Sequence, residues 1–217
     1  EGVGAASPGD TVLIAPGTYT GSLNRGVSFG GKDLFVVSEG GAEVTIIDCE
    51  GEDRAFDIDG GETDASIIEG LTITHGYAYS YNDCGGGVRI RGSSPMIRNC
   101  VVSYCHAEGD WWNHFWPAFG GGVYCEDSAS VIVGCTFFGN TTHGEPQSGS
   151  AVAHYGPGGT VLNCLLAENT GPDVIDTIAE AISVYHCISD SPLPEGDDNL
   201  GEVYLALCGG LPPSCYF

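Results

Sequence analysis

The sequence predicts an all-β protein built as one domain, a parallel β-helix with long loop insertions at one corner. Four cysteines recur in similar surroundings, each three residues after a β-branched residue: Cys100, Cys135, Cys164 and Cys187. Twelve residues before the first three of these, a run GGG, GGG or GSA leads into a valine: Val88, Val123 and Val152. Such a repeat is the signature of a solenoid. The 35 glycines and a charged fraction of only 16% favour turn-rich β structure over helices.

The spacing of this cysteine column predicts where the insertions lie. Cys49 and Leu71 extend the column backwards, and the successive intervals from Cys49 to Cys187 are 22, 29, 35, 29 and 23 residues. The shortest intervals fit one coil of three short strands and three corners. The excess in the longer intervals predicts loops over Tyr77–Cys84, His106–Phe119 and His143–Ser148.

Several segments resemble a known family. GDTVLIAPGTYTG (Gly9–Gly21), followed by VTIIDCEG, EGLTITHG and repeated GGGV and IxNC units, is similar to the right-handed parallel β-helix repeat proteins secreted by many bacteria, of the pectate-lyase-like superfamily. The resemblance covers about Gly9–Ser191 and implies right-handed coils. By this resemblance, the single domain 1–217 consists of a remnant of an N-terminal cap (1–8), coils (9–191) and a C-terminal coil and tail (192–217). For function it leaves lyases, hydrolases and adhesins open.

The charge of the chain limits its partners. It has 29 acidic against six basic residues and a net charge of −23. This argues against nucleic acid and anionic membranes and favours cations or a basic protein surface. Ten cysteines beside a single lysine, Lys32, indicate export, so we expect an extracellular or cell-surface location. No apolar run approaches the roughly 18 residues of a membrane span, so we expect no membrane insertion.

Stacking of the coils predicts charged neighbours on one outward face. With equivalent residues about 4.8 Å apart, Asp57 meets Arg89, and Arg91 lies between Asp59 and Glu126. Cross-strand ion pairing is the simpler interpretation of these residues. The resemblance implies an alternative, because lyases of that superfamily use a Lys or Arg base beside acidic calcium ligands. Arg89, Arg91, Asp59 and Glu126 are therefore the candidate catalytic residues, although the NTD, GHG and RIK strings of the hydrolases are absent.

The cysteines fall into two groups. Cys49, Cys125 and the four repeat cysteines occupy inward positions, where small apolar side chains stack well and are expected to stay reduced. Cys84 and Cys105 are placed at the same corner of successive coils, where a disulfide would brace both loops. At the C-terminal end, Cys208 and Cys215 form a second candidate pair.

Polar residues offer one cofactor candidate and one structural feature. Two acidic clusters could take calcium, the only candidate cofactor, although solvated turns are the simpler interpretation because neither has the spacing of a defined calcium loop. The candidate ligands are Asp48, Glu50, Asp197 and Asp198. At another corner, Asn140 and Asn169 are expected to hydrogen-bond backbone groups of neighbouring coils.

The largest insertion is strongly aromatic. It contains Trp111, Trp112, His114, Phe115, Trp116 and Phe119. The preceding insertion supplies Tyr77, Tyr79 and Tyr81. Three interpretations stay open: a satellite cluster in which the two loops cover each other, a protein–protein contact, and a carbohydrate-binding platform.

These observations favour a non-catalytic extracellular β-helix that acts in assembly or adhesion, as the repeating subunit of a surface filament. Its partner would be another copy of the chain or another extracellular protein, and it would use the aromatic loop, the terminal coils or both. The alternative is a polysaccharide-acting enzyme, a lyase or glycoside hydrolase, or a carbohydrate-binding β-helix, so polysaccharide stays among the candidate partners.

Overall fold

The computed structural model describes residues 2–79, 84–109, 118–144, 147–156, 158–171, 175–177 and 183–190. Its helix and strands are, in chain order, α1 (Gly2–Ala5), β1 (Thr11–Ile14), β2 (Gly17–Tyr19), β3 (Phe35–Ser38), β4 (Thr45–Asp48), β5 (Phe56–Ile58), β6 (Ile67–Glu69), β7 (Thr72–Thr74), β8 (Tyr77–Tyr79), β9 (Val88–Arg91), β10 (Met96–Arg98), β11 (Val101–Ser103), β12 (His106–Glu108), β13 (Ala118–Phe119), β14 (Val123–Glu126), β15 (Val131–Val133), β16 (Thr136–Phe138), β17 (Thr141–His143), β18 (Gln147–Ser148), β19 (Val152–Tyr155), β20 (Thr160–Leu162), β21 (Leu165–Ala167), β22 (Ile175–Thr177), β23 (Ser183–Tyr185) and β24 (Ile188–Ser189). A 3-10 turn spans Ser22–Asn24.

Three long parallel sheets run along the molecule. Sheet A has the order β1-β3-β6-β10-β15-β20-β23, and sheet B has the order β2-β4-β7-β11-β16-β21-β24. Sheet C has the order β22-β19-β14-β9-β5. Successive turns of the chain add one strand to each sheet, so the predicted parallel β-helix is confirmed. Within the described ranges, no helix is long and apolar enough to span a membrane.

The predicted inward files are confirmed. Val88, Val123 and Val152 pair directly across neighbouring strands and are fully buried. The column cysteines follow paired residues of sheet A, and each is at most 2% exposed: Cys100, Cys135, Cys164 and Cys187. Each thiol is in hydrogen-bonding range of a carbonyl of the preceding coil, as between Cys135 Sγ and Ile97 O at 3.7 Å. The column therefore packs the core, as predicted.

The insertions differ from their prediction as loops. The first three residues of the first two insertions form β8 and β12, and β17 leads into the third insertion; β17-β12-β8 is a three-stranded sheet D beyond sheet B. Where two insertions return, β13 and β18 form a two-stranded sheet E. Because insertions occur in successive coils, their backbones lie one strand spacing apart and can pair like the coils beneath them.

Candidate functional site

The candidate catalytic residues lie on the outward face of sheet C. Arg89 forms the predicted ion pair with Asp57, in which Nε donates to Oδ1 at 2.8 Å and Nη2 donates to Oδ2. Burial alone would raise the pKa of Asp57, but the hydrogen bonds and the charge of Arg89 outweigh it and lower that pKa. Arg89 is thus held in a cross-strand bridge, which favours a structural role.

Arg91 has a different environment. It lies opposite Glu126 in the register of β9 and β14, as predicted. The predicted ion pairing is wrong, because no carboxylate of the described residues, Asp59 included, lies within ion-pairing distance of Arg91. These side chains leave the sheet where the coil turns at the exposed Gly92, so water competes with pairing. Arg91 is consequently a half-buried cation on an acidic molecule.

The bases of the two insertions cover part of the same face. Cys84, Tyr124 and Ala153 form a small buried cluster, and Phe119 packs against it with its ring 6.4 Å from that of Tyr124. The buried guanidinium of Arg54 donates from Nη1 to the Cys84 carbonyl at 2.8 Å and fixes the start of this segment. The sequence reasoning missed Arg54, whose neighbour in the structure lies 30 residues away.

The outward face of sheet D holds a cluster of polar aromatic side chains. The Tyr77 hydroxyl donates to the Glu108 carboxylate, and the His106 ring stacks on Tyr77 at 5.7 Å. His106 Nε2 and His143 Nδ1 each lie 3.9 Å from a different oxygen of Glu108. Tyr79, half exposed, also stacks with Tyr77, with the ring centroids 6.2 Å apart. Only the two tyrosines were singled out in the sequence.

The protonation of this cluster favours hydrogen bonding over nucleophilic chemistry. Burial and the hydrogen bond to Glu108 raise the pKa of Tyr77 to about 12, so its hydroxyl stays protonated and donates. Burial lowers the pKa of His106, which therefore stays neutral near neutral pH. The cluster can present a carboxylate, imidazoles and an aromatic ring to a polar ligand.

The described calcium candidates are engaged with the chain itself. Asp48 Oδ1 accepts from the Glu50 backbone N–H at 2.9 Å and lies 3.1 Å from His75 Nδ1. Glu50 Oε2 accepts from the Gly21 N–H at 2.9 Å and lies 3.2 Å from Arg25 Nη1. Across the described ranges, no three His, Cys, Asp or Glu side chains are grouped so that they could hold a metal ion.

The structure does not contain the predicted disulfide between Cys84 and Cys105. Cys105 follows sheet B and points into the main core, whereas Cys84 precedes sheet C and belongs to the small outward cluster. The two corners were equated in the sequence but lie on different sides of the coil wall. Burial raises the pKa of the Cys105 thiol to about 12, which keeps it protonated.

Several predicted site residues lie outside the described residues. They are Tyr81, Trp111, Trp112, His114, Phe115, Trp116, Asp197, Asp198, Cys208 and Cys215.

The N-terminal coil leaves part of the core open. β1 and β2 begin sheets A and B, and no strand of the described residues pairs with their outer edges. Their inward residues Val12 and Ile14 are only half-buried, although they pack on the core. A cavity of about 620 Å³ opens between these strands, α1 and the turn at Leu23, and reaches Ile47 and Phe56.

Apolar side chains surround this opening. Lys32 Nζ donates to the carbonyls of Val3 at 2.7 Å and Ala6 at 3.0 Å, which holds α1 across one side of the coil. Three large side chains of the first coils stay exposed: Leu13 at 60%, Leu23 at 79% and Val44 at 45%. Leu13 and Leu23 line the cavity and add exposed apolar surface to it.

Stacked parallel sheets around one core, with polar residues bonded at the corners, define a β-helix solenoid protein. Residues 32–189 match the sequence model of the right-handed β-helix region, and because this match covers well over half of its length, the chain belongs to that family. No curated protein and no solved structure matches the chain.

Proposed function

We propose that this protein is a non-catalytic extracellular β-helix that works by assembly or adhesion, as the repeating subunit of a surface filament. The observation that carries this proposal is the exposed apolar surface around the cavity beside β1 and β2, with Leu13 and Leu23 in its lining. Within the part of the chain that the structure describes, no strand pairs with the outer edges of β1 and β2, and the half-buried Val12 and Ile14 offer apolar surface that another coil could cover.

The occupant that we propose for this surface is a second copy of the chain. Within the described residues, sheets A and B end in β23 and β24, which are parallel strands of the same kind. A head-to-tail copy would continue both sheets at the spacing of about 4.8 Å. Such a contact joins two different surfaces and does not close, so it builds a fibre.

The net charge of −23 opposes this stacking. Apolar burial at the end must therefore offset the repulsion, at roughly 25 cal/mol per Å² of apolar surface. Screening by salt, and divalent cations bound between acidic copies, should strengthen association, and chelation should weaken it.

Replacing Leu23 with Glu should abolish end-to-end association without unfolding the chain. Leu23 is 79% exposed and lines the opening, so the change adds a charge where apolar contact is needed and leaves the core intact. Sedimentation velocity and electron microscopy of the parent and of L23E measure the effect. Tyr104→Glu, at a side chain 54% exposed and remote from the end, is the matched control.

A parent chain that stays monomeric at high concentration would contradict the proposal, as would L23E filaments as long as the parent's. The triple change of Trp111, Trp112 and Trp116 to Ser tests the aromatic loop separately. If only this triple variant loses assembly, the contact is the loop and not the end.

Arg91, which has no ion-pair partner among the described residues, supports a second candidate, an acidic-polysaccharide site on sheet C. Its outward neighbours Glu126 and Tyr155 provide a carboxylate and an exposed ring.

We expect no unsaturated product from uronic-acid polymers, with or without calcium, because Arg89 is held by Asp57. Ultraviolet assays of the parent and of Arg91→Ala, with Arg98→Ala as the control, test this. Product that is lost only in Arg91→Ala would establish the enzyme instead.

A further inference from the structure

The outward face of sheet A is apolar, in contrast to that of sheet C. Strands with one solvated face usually alternate apolar and polar residues, whereas strands covered on both faces read as continuous apolar runs. Sheet C alternates, with Asp57, Arg89 and Glu126 outward, but sheet A strands such as FVV and VIV do not.

Two outward files make up this surface, called here the sheet A face. The first file is Thr11, Phe35, Ile67, Met96, Val131, Thr160 and Ser183. The second file is Leu13, Val37, Glu69, Arg98, Val133, Leu162 and Tyr185. All but the exposed Thr11 and Leu13 are partly exposed. This exposure leaves both files accessible within the described structure.

The sheet A face carries no net charge. Its two charged residues neutralise each other, because Arg98 Nη2 donates to Glu69 Oε2 at 2.7 Å. The Arg98 guanidinium also lies over the Phe35 ring, 5.5 Å from its centroid, and so joins the apolar surface. On a chain of net charge −23, this neutral strip is where a second copy can approach without bringing carboxylates together.

We propose that two copies of this chain pack face to face through the sheet A face. Both sides of the contact are then the same surface, as in a twofold dimer, and no complementary surface elsewhere is needed. This contact is independent of the proposed end-to-end assembly, since it uses a side of the helix and not its end.

The dimensions of the sheet A face set the strength of the pair. Seven strands spaced about 4.8 Å apart give the length of the face, and three residues with a rise of about 3.3 Å each give its width, so its area is roughly 300 Å². That is well below the ~800 Å² per partner of a standard stable interface. The pair should therefore be weak, concentration-dependent and strengthened by salt.

The test uses the full chain carrying L23E, which removes the end contact. Sedimentation equilibrium up to about 1 mM should show a monomer–dimer equilibrium. The chain has one methionine, Met96, on the central strand of the sheet A face, so its methyl NMR signal should shift with concentration along the same curve. The double change Ile67→Glu and Val133→Glu should weaken pairing by at least about tenfold, since it places like charges opposite each other.

Tyr155→Glu is the control, because it adds a negative charge, one instead of two, to the outward face of sheet C and should pair like its parent. If the double glutamate variant loses its far-ultraviolet spectrum, Ile67→Thr with Val133→Thr replaces it and should weaken pairing to an intermediate extent. A monomer at about 1 mM, a Met96 signal that does not move, or folded sheet A variants that pair as tightly as Tyr155→Glu would each overturn the proposal. None of these outcomes bears on the end contact, which the comparison of the parent with L23E tests separately.

Discussion

Replacing Asn140 with Ala is expected to lower the free energy of unfolding by about 4 kcal/mol. Asn140 is fully buried at the corner between sheets B and D. Its Oδ1 accepts from the Cys105 N–H at 3.0 Å, and its Nδ2 donates to Val102 O and to Asn169 Oδ1, each at 2.9 Å. Alanine would leave the Cys105 N–H buried without this partner, which costs about 1 to 3 kcal/mol, and would remove both bonds of Nδ2, each worth about 1 kcal/mol; Asn169 Oδ1 keeps the Asn140 backbone N–H at 3.1 Å.

Urea unfolding measures the loss, and amide hydrogen exchange at Cys105 shows its site. Asn24→Ala is the control, because the Asn24 amide makes one solvent-accessible bond, to Thr20 O at 2.6 Å, and should cost within about 0.5 kcal/mol. A loss under about 1 kcal/mol for Asn140→Ala, with Cys105 still protected, would mean that water replaces the asparagine and that the corner bonds do not hold the coils together.

Inward positions could be predicted from the sequence because they repeat one residue type. Cys100 and Cys135 recur at the spacing of whole coils, and a coil wall admits only small or apolar side chains on its inside. The same register predicted the bridge between Asp57 and Arg89, since parallel stacking makes equivalent residues neighbours. The corner role of Asn140 and Asn169 followed from their common position and is confirmed.

The insertions could be located but not described from interval lengths. An interval shows that residues leave the coil and says nothing of their pairing with the next insertion. A signal was present, since Tyr77, His106 and Thr141 each lie six residues after their column residue. Equal offsets predict stacking, and stacking predicts sheet D and the contact of Glu108 with its neighbours.

The failed disulfide has a related cause. Cys84 and Cys105 were placed by their distance from the loops, whereas their distance from the column decides their direction. Cys105 lies five residues after Cys100, at the inward position that Asn140 takes in the next coil. The side-chain amide oxygen of Asn140 accepts from the Cys105 N–H. Cys84 precedes the run GGG and faces outward over Tyr124.

The run GGG explains how sheet D can lie so close to sheet C, and changing it should have a large effect. A Cβ on Gly86 would lie 2.4 Å from His106 O and 2.5 Å from Gly121 O. A Cβ on Gly121 would lie 2.4 Å from Thr141 O and 2.6 Å from Ser150 O. These neighbours are backbone atoms of adjacent coils, which cannot rotate away as a side chain can. Gly86→Ala with Gly121→Ala should therefore destabilise the chain by about 3 kcal/mol or more.

The expected loss is steric, since neither glycine has a left-handed φ that alanine would strain. Gly4→Ala is the control, because nothing lies within 4 Å of its added Cβ and alanine favours the helix it occupies, so stability should be unchanged or slightly higher. The double variant should lower the urea midpoint of unfolding. The methyl signal of Met96 should stay unchanged, because the strands of sheet A contact neither glycine, and this would show that the damage is confined to the corner. A double variant as stable as its parent would show that the coils can move apart at this corner. The run GGG would then be required for the backbone conformation of the turn, and not for the close approach of sheets C and D.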